Sequence, residues 1–386
     1  MRPLPLTLAL VAALPLAAQQ PARAPLVWPA APDTARIQYV GSFRSEKDLR
    51  RNESFLHRLG RWLTGGRGTA LYELQRPFDL VAPDSTRTYL TNGSVRAVIV
   101  FDRVARRVRL FGSDVPGGLG KPMGLGLGPR GEIYVADASQ RRVVVLDSTG
   151  HYLRAFGGST VLLNPVDVAV DGEDAWVVDS YLHQVLRFDR SGQVTLRVGR
   201  QAGTLAERDQ HRAAVPPLNA GDPHRTFTPD DLSDVWQNRG SGAGEFRYPA
   251  SVAVGPDGTL YVSDQLNFRV QAFARDGRFL RSVGKLGDQP GTFTRPKGVA
   301  VDRDNHLYVV DAAFNNVQIF DDQGRLLLAF GQLGYGAGEH WLPLGITIDR
   351  SDRIYVADRY NNRVAVYQYL GQPGGLHEPR PAPGGR

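Results

Sequence analysis

Apolar and polar positions in this chain alternate in blocks. "IYVADRYNNRVAVY", Ile354–Tyr367, is two short β-rich runs around a polar turn, and five gap-free copies precede it. They are "TYLTNGSVRAVIVF" from Thr88, "IYVADASQRRVVVL" from Ile133, "AWVVDSYLHQVLRF" from Ala175, "LYVSDQLNFRVQAF" from Leu260 and "LYVVDAAFNNVQIF" from Leu307. Upstream of each lies a proline and a further apolar run, as in "PASVAVG" from Pro249 and "PKGVAVD" from Pro296. Downstream of most come a glycine-bearing turn and another strand, as in "DDQGRLLLAFG" from Asp321. Repeated units of three to four short antiparallel strands predict an all-β, six-bladed β-propeller.

The aligned positions Asn92, Asp137, Asp179, Asp264, Asp311 and Asp358 are 45, 42, 85, 47 and 47 residues apart. The doubled interval contains Arg200–Gly240, rich in proline and charge and without paired β-runs, which reads as a long loop inserted between blades three and four. The sixth copy has no fourth strand of its own, whereas "ARIQYVGSF", Ala35–Phe43, precedes the first blade with nothing else to pair with. An N-terminal strand closing the last blade would remove both open edges of the ring. Between it and blade one, "SFLHRLGRWLTGG" from Ser54 places Phe55, Leu56, Leu59, Trp62 and Leu63 on one helical face with arginines around it. This predicts a short helix that caps the propeller or, over residues 54–63, touches an anionic membrane surface.

At this point the sequence resembles a known family. The proline, the "GVAVD" run, the "YVAD" run and the "NNRVQVF"-like run are the signature of NHL repeats, and the resemblance covers about Pro77 to Tyr367. It implies the propeller but no single activity, because such propellers include lyases, RNA-binding domains, receptor ectodomains and exported proteins. The N-terminal region also resembles exported bacterial NHL-repeat proteins. "MRPLPLTLALVAALPLAA", Met1–Ala18, has an early cation and then a leucine and alanine run ending in small residues, as a secretory signal peptide does. The expected organisation is therefore a leader over 1–24, closure strand and helix over 25–73, propeller over 74–370 with its insertion at 200–240, and a flexible tail over 371–386. Periplasmic or extracellular location and a monomeric state are expected.

Composition changes this picture little. Of 386 residues 42% are hydrophobic and 22% charged, which suits a soluble globular protein, and the absence of cysteine excludes disulfides, thiolate chemistry and a lipidated cysteine. The net charge of +7 would suit nucleic acid or an acidic surface. The cations are dispersed, however, and the leader argues against RNA as a partner.

Candidate chemistry lies where function is most often placed on a propeller, on loops at the channel mouth. The repeated aspartates start turns, where a carboxylate accepts backbone N–H bonds, and the repeated Arg142, Arg269 and Arg363 read as bridges between blades. Departures from the repeat carry more information. His183 in "DSYLHQV" stands where other copies have Arg96, Arg141, Phe268, Asn315 and Asn362, and the segment resembles peptidyl-hydroxyglycine amidating lyase, whose zinc is held by three histidines. The resemblance would also require histidines just after the prolines of two blades, where this chain has Phe78, Met123, Val166, Ala250, Lys297 and Leu344. One residue further on, the usual glycine, kept at Gly124, Gly298 and Gly345, is replaced by Asp79, Asp167 and Ser251. Two carboxylates there would hold calcium or magnesium, pair with Lys297, or be solvated turn acids.

The resulting expectation is a non-enzymatic binding or scaffold module for a protein, peptide or glycan, with Tyr181, His183, Phe268, Lys297, Phe314 and Tyr360 as binding residues. The alternative is a metal-dependent lyase or hydrolase at the channel mouth, its ion on Asp79, Asp167 and His183. No resident cofactor is expected apart from that divalent cation.

Overall fold

A computed structural model describes residues 24–49, 72–199 and 239–371. The expected leader, helix 54–63, almost all of the insertion, and the tail lie outside the described residues.

Six antiparallel sheets surround a central channel. Blade two shows the pattern, running from Pro122–Leu127 at the channel through Ile133–Asp137 and Arg142–Leu146 to Tyr152–Gly157 at the rim. The other innermost strands are Asp79–Val81, Pro165–Asp171, Pro249–Val254, Pro296–Val301 and Pro343–Ile348, and neighbouring ones touch in a closed cycle. The burial pattern explains the block-like sequence. Second and third strands are covered on both faces by adjacent blades, so "IYVAD" at Ile133–Asp137 is buried throughout. Rim strands are covered on one face only, and Phe279–Val283 alternates between covered and exposed positions.

The core is accordingly distributed over the interfaces between blades. In one interface Tyr308, Val310 and Phe330 of blade five pack with Val356, Ala365 and Tyr367 of blade six, all but fully buried. Each added blade brings its own apolar interface, so the chain exceeds the size at which one central core stops growing.

Blade six is completed from the N-terminus. Ile37–Phe43 pairs antiparallel with Arg363–Tyr369, from Ile37 opposite Tyr369 to Phe43 opposite Val364, with a register shift between Tyr39 and Gly41. The structure adds a strand that the sequence pattern did not announce. Val27–Trp28 pairs outside the closure strand, making this blade five-stranded, and Trp28 packs on Phe330 and Tyr367 at ring-centroid distances of 5.9 and 5.8 Å. Two residues are too few to show period-two alternation. The described helix is the four-residue Glu46–Leu49, not the predicted one further along.

The repeated aspartates hold each blade together. Asp137, Asp179, Asp264, Asp311 and Asp358 are fully buried at the end of the second strand. Asp311 accepts N–H bonds from Thr294 at 2.7 Å and Arg295 at 3.1 Å in the loop leading into the blade, and from Ala313 at 2.9 Å and Phe314 at 3.3 Å in its own turn. The repeated arginines complete the arrangement. Arg363 Nε donates to Asp358 at 2.8 Å while its terminal nitrogens reach the carbonyls of Tyr335, Gly336 and Glu339 in the connection from blade five. Replacing Asp311 by alanine strands several buried donors at once, at about 1–3 kcal/mol for each one left unpaired. Asp311→Ala is expected to lower the urea midpoint by the equivalent of at least ~3 kcal/mol, whereas Asp311→Asn, which keeps an acceptor, costs less than half of that.

Candidate functional site

The proline that starts an innermost strand directs the next residue toward the channel axis. Phe78, Met123, Val166, Ala250, Lys297 and Leu344 line one cavity of about 290 Å³ at the channel mouth, together with Asp79, Asp167 and Ser251 below and Ser180, Tyr248, Gln265 and Leu266 from the turns. The post-proline ring and the turn face thus come together as the repeat pattern predicts.

Asp79 and Asp167 belong to a second ring, in blade order Asp79, Gly124, Asp167, Ser251, Gly298 and Gly345, whose glycines are sterically required. A Cβ at Gly345 would stand 2.5 Å from Asp79 Oδ1, and one at Gly124 would collide with Asp167. Either Cβ would also strike the backbone of the next strand, as one at Gly298 would strike Leu344 O at 2.5 Å, so close approach of neighbouring strands requires glycine at these positions. Each carboxylate also joins two innermost strands. Asp79 Oδ2 accepts from Leu125 N at 2.8 Å, while Asp167 Oδ2 accepts from Val252 N at 2.9 Å and its Oδ1 from Val168 N at 2.8 Å. Burial raises both carboxyls. It holds Asp79 well above the usual range with help from the Asp167 charge, and it lifts Asp167 to about 6 against the hydrogen bonds it accepts.

Lys297 carries the cation of the upper ring, and its Nζ donates to Gln265 Oε1. Burial, then Arg295 and Arg359, lower its ammonium to about 8. It forms no ion pair with either aspartate.

His183 does not face the cavity with the two acids. It is fully buried, with φ 55°, and its Nδ1 accepts from Tyr248 N at 3.0 Å. Asn315 and Asn362 do the same from equivalent positions, their Oδ1 atoms accepting from Leu342 N and Arg76 N, each at 2.8 Å. Tyr248, Leu342 and Arg76 all precede the proline of the next blade and have positive φ. His183 is thus an imidazole substitute for an asparagine that clips one blade to the next. The clip uses Nδ1 alone: Nε2 is buried with no hydrogen-bond partner among the described residues, and His183 does not line the cavity that holds Asp79 and Asp167. Among the described residues no three histidines, aspartates or glutamates stand together as a metal site would require.

The remaining expected binding residues scatter. Tyr181 and Tyr360 are 40% and 39% exposed, while Phe268 and Phe314 are half-buried, and none of the four lines the cavity. Tyr360 belongs instead to a cluster at the blade-six rim. Its ring lies 5.2 Å from Trp341, which is 5.3 Å from Tyr335, and Arg76 stands over it at 5.7 Å. Tyr335 and Trp341, in the connection that leads into blade six, were not among the expected residues. Sequence reasoning also missed Gln265 and Tyr248, turn residues that carry no sign of facing the channel.

The histidine clip has a pH signature. Burial, with Arg239 and Arg247 nearby, depresses His183 to about 4 from the ordinary 6.5. The neutral form is required in the fold, so its contribution is complete above about pH 6.5 and is lost as pH falls toward 4. Between pH 7 and pH 5 the wild-type protein is expected to lose ~2 kcal/mol through this group, a loss absent in His183→Asn. At pH 7 His183→Asn stays within ~1 kcal/mol of wild type and His183→Ala loses about 1–3 kcal/mol, all read from urea unfolding.

The DUF5128 family model, described as a 6-bladed beta-propeller, matches residues 252–315 and 302–373. No curated protein matches the chain significantly. Among solved structures, an auxiliary nutrient binding protein from Bacteroides thetaiotaomicron is 13% identical, with 77% of this chain and 70% of that one covered at a TM-score of 0.54. A gluconolactonase from Xanthomonas campestris is 16% identical, with 77% and 86% covered at 0.51. A catalytically inactive virginiamycin B lyase from Staphylococcus aureus, with quinupristin, is 14% identical, with 78% and 84% covered at 0.50. Identities this low bear on the fold alone, and with the blade topology they establish this chain as a six-bladed β-propeller.

Proposed function

We propose that this protein is an exported binding module of the NHL-repeat type that takes part of a protein, peptide or glycan partner, or a small ligand, into its channel mouth. The observation that carries this reading is the cavity itself. A mostly apolar pocket with a few convergent polar groups, held by the ends of rigid strands, is the usual form of a binding site. The leader supports export, and the similarity to a nutrient binding protein agrees with a binding role without specifying the ligand.

A second reading, catalysis, rests on one observation. Asp167 at about 6 and Lys297 at about 8 face one cavity, and both titrate close enough to neutrality for proton transfer. The lyase and lactonase among the structural neighbours make hydrolysis or elimination the reactions to assay. Divalent-ion binding on Asp79 and Asp167 would have to proceed without His183.

Ala250 is a small, half-buried member of the ring, so Ala250→Trp fills the cavity with little change to the fold. In a thermal-shift screen of peptides, oligosaccharides and small organic acids, ligands that stabilise the wild-type protein are expected to lose at least about tenfold in affinity against Ala250→Trp. Unchanged affinities in that variant would place binding elsewhere and sink the reading.

A further inference from the structure

The upper ring has six equivalent positions, and five of them are uncharged: Phe78, Met123, Val166, Ala250 and Leu344. The sixth is Lys297. Its ammonium is carried into an apolar cavity, and a buried cation is stabilised only by an opposite charge or by several acceptors. Among the described residues its polar partner is a neutral amide, Gln265 Oε1. The two nearest acids are committed elsewhere, Asp79 to the backbone of Leu125 and Asp167 to Val252 and Val168. Arg295 and Arg359 add further positive charge around the ammonium. What Lys297 itself lacks is a carboxylate partner.

Gln265 narrows the chemistry. Because an ammonium can only donate, the amide oxygen must face Lys297, which leaves the amide NH₂ directed away from it and available to a second acceptor. One ammonium and one amide suit the two oxygens of a carboxylate. A phosphate dianion would need more donors, and the acids deeper in the channel would repel its second charge. The cavity, at about 290 Å³, lies at the small end of ligand pockets, and its remaining lining is mostly hydrocarbon, with Asp79, Asp167, Ser180 and Ser251 as the polar exceptions.

We propose that the channel mouth captures a small organic carboxylate with an apolar body, its carboxylate on Lys297 and the Gln265 amide and its hydrocarbon against Phe78, Met123, Val166 and Leu344. This deepens the binding reading above and rests on it. A peptide that presents only its C-terminal carboxylate has the same chemistry.

The test is calorimetric titration of the mature full chain with octanoate and 4-phenylbutyrate, with their primary amides and with inorganic phosphate. The acids are expected to bind about tenfold or more tightly than the amides, and phosphate is not expected to compete. Lys297→Met lowers affinity for the acids about tenfold or more, Lys297→Arg retains most of it, and Gln265→Ala weakens it. The charged groups facing Lys297 are Arg295 and Arg359, whose charge is constant, and Asp79 and Asp167 below. Affinity therefore falls between pH 6 and pH 9, first as Asp167 ionises near 6 and then as Lys297 loses its proton near 8. A free peptide that binds where its C-terminally amidated form does not supports the same capture.

Amides that bind as well as the acids, yet lose affinity in Ala250→Trp, overturn the carboxylate assignment and leave the binding reading standing. So does a failure of both acids to bind while ligands of another class remain sensitive to Ala250→Trp, and so does competition by phosphate. Carboxylate binding that survives Ala250→Trp overturns both.

Discussion

Everything in this molecule depends on a buried aspartate that has been desolvated in order to hold backbone. In five of the six blades the carboxylate at the end of the second strand receives N–H groups from the loop leading to the channel. Without it one or both of the residues before the proline would enter the interior with unpaired donors. With it, the innermost strand starts at a defined height and angle, and the post-proline side chain is aimed at the axis. Blade one uses Asn92, whose Oδ1 accepts from Ser94 and Val95 in its own turn. Repetition of this small polar unit is what turns six hairpins into one channel with a regular mouth.

Blades three and four are separated in the sequence by about forty residues rich in proline and charge. Elsewhere a short connection keeps adjacent blades in register. Side-chain bonds cross this seam as they cross others: His183 to the backbone of Tyr248, Asp167 to Val252 and Arg275 to Asp171 here, Asn315 to Leu342, Asp79 to Leu125 and Arg303 to Asp352 elsewhere. Closing a long loop costs little more entropy than closing a moderate one, so a few such bonds suffice to hold the join. The histidine that looks like remnant catalytic machinery is part of this seam.

The channel mouth collects three titratable groups that a purely structural plug would not need. Two carboxyls held above their usual range and an ammonium held below its own are all destabilised in their charged forms, and the lysine lacks a charged partner. Their placement follows from the scaffold. Gly124 and Gly345 open the space that the acids occupy, and the post-proline geometry delivers the lysine. A rigid ring of strands thus supports a small electrostatic site without any specialised loop.

The repeat, the number of blades and the closing strand were all legible in the sequence, because two-sided burial writes itself as short apolar runs and turns demand aspartate, asparagine and glycine. The ring of post-proline residues and its single lysine were legible for the same reason, since the register of the copies carries over directly to positions around the axis. The role of His183 was not. Whether an imidazole faces a cavity or a neighbouring backbone amide depends on how two blades abut, and a residue's own repeat contains no record of its neighbour. Gln265 escaped notice likewise, because it meets Lys297 only across blades. Local sequence determined the strands and their order; the packing of one blade against the next, through steric exclusion and the pairing of buried polar groups, decided which side chains reach the channel and which hold it together.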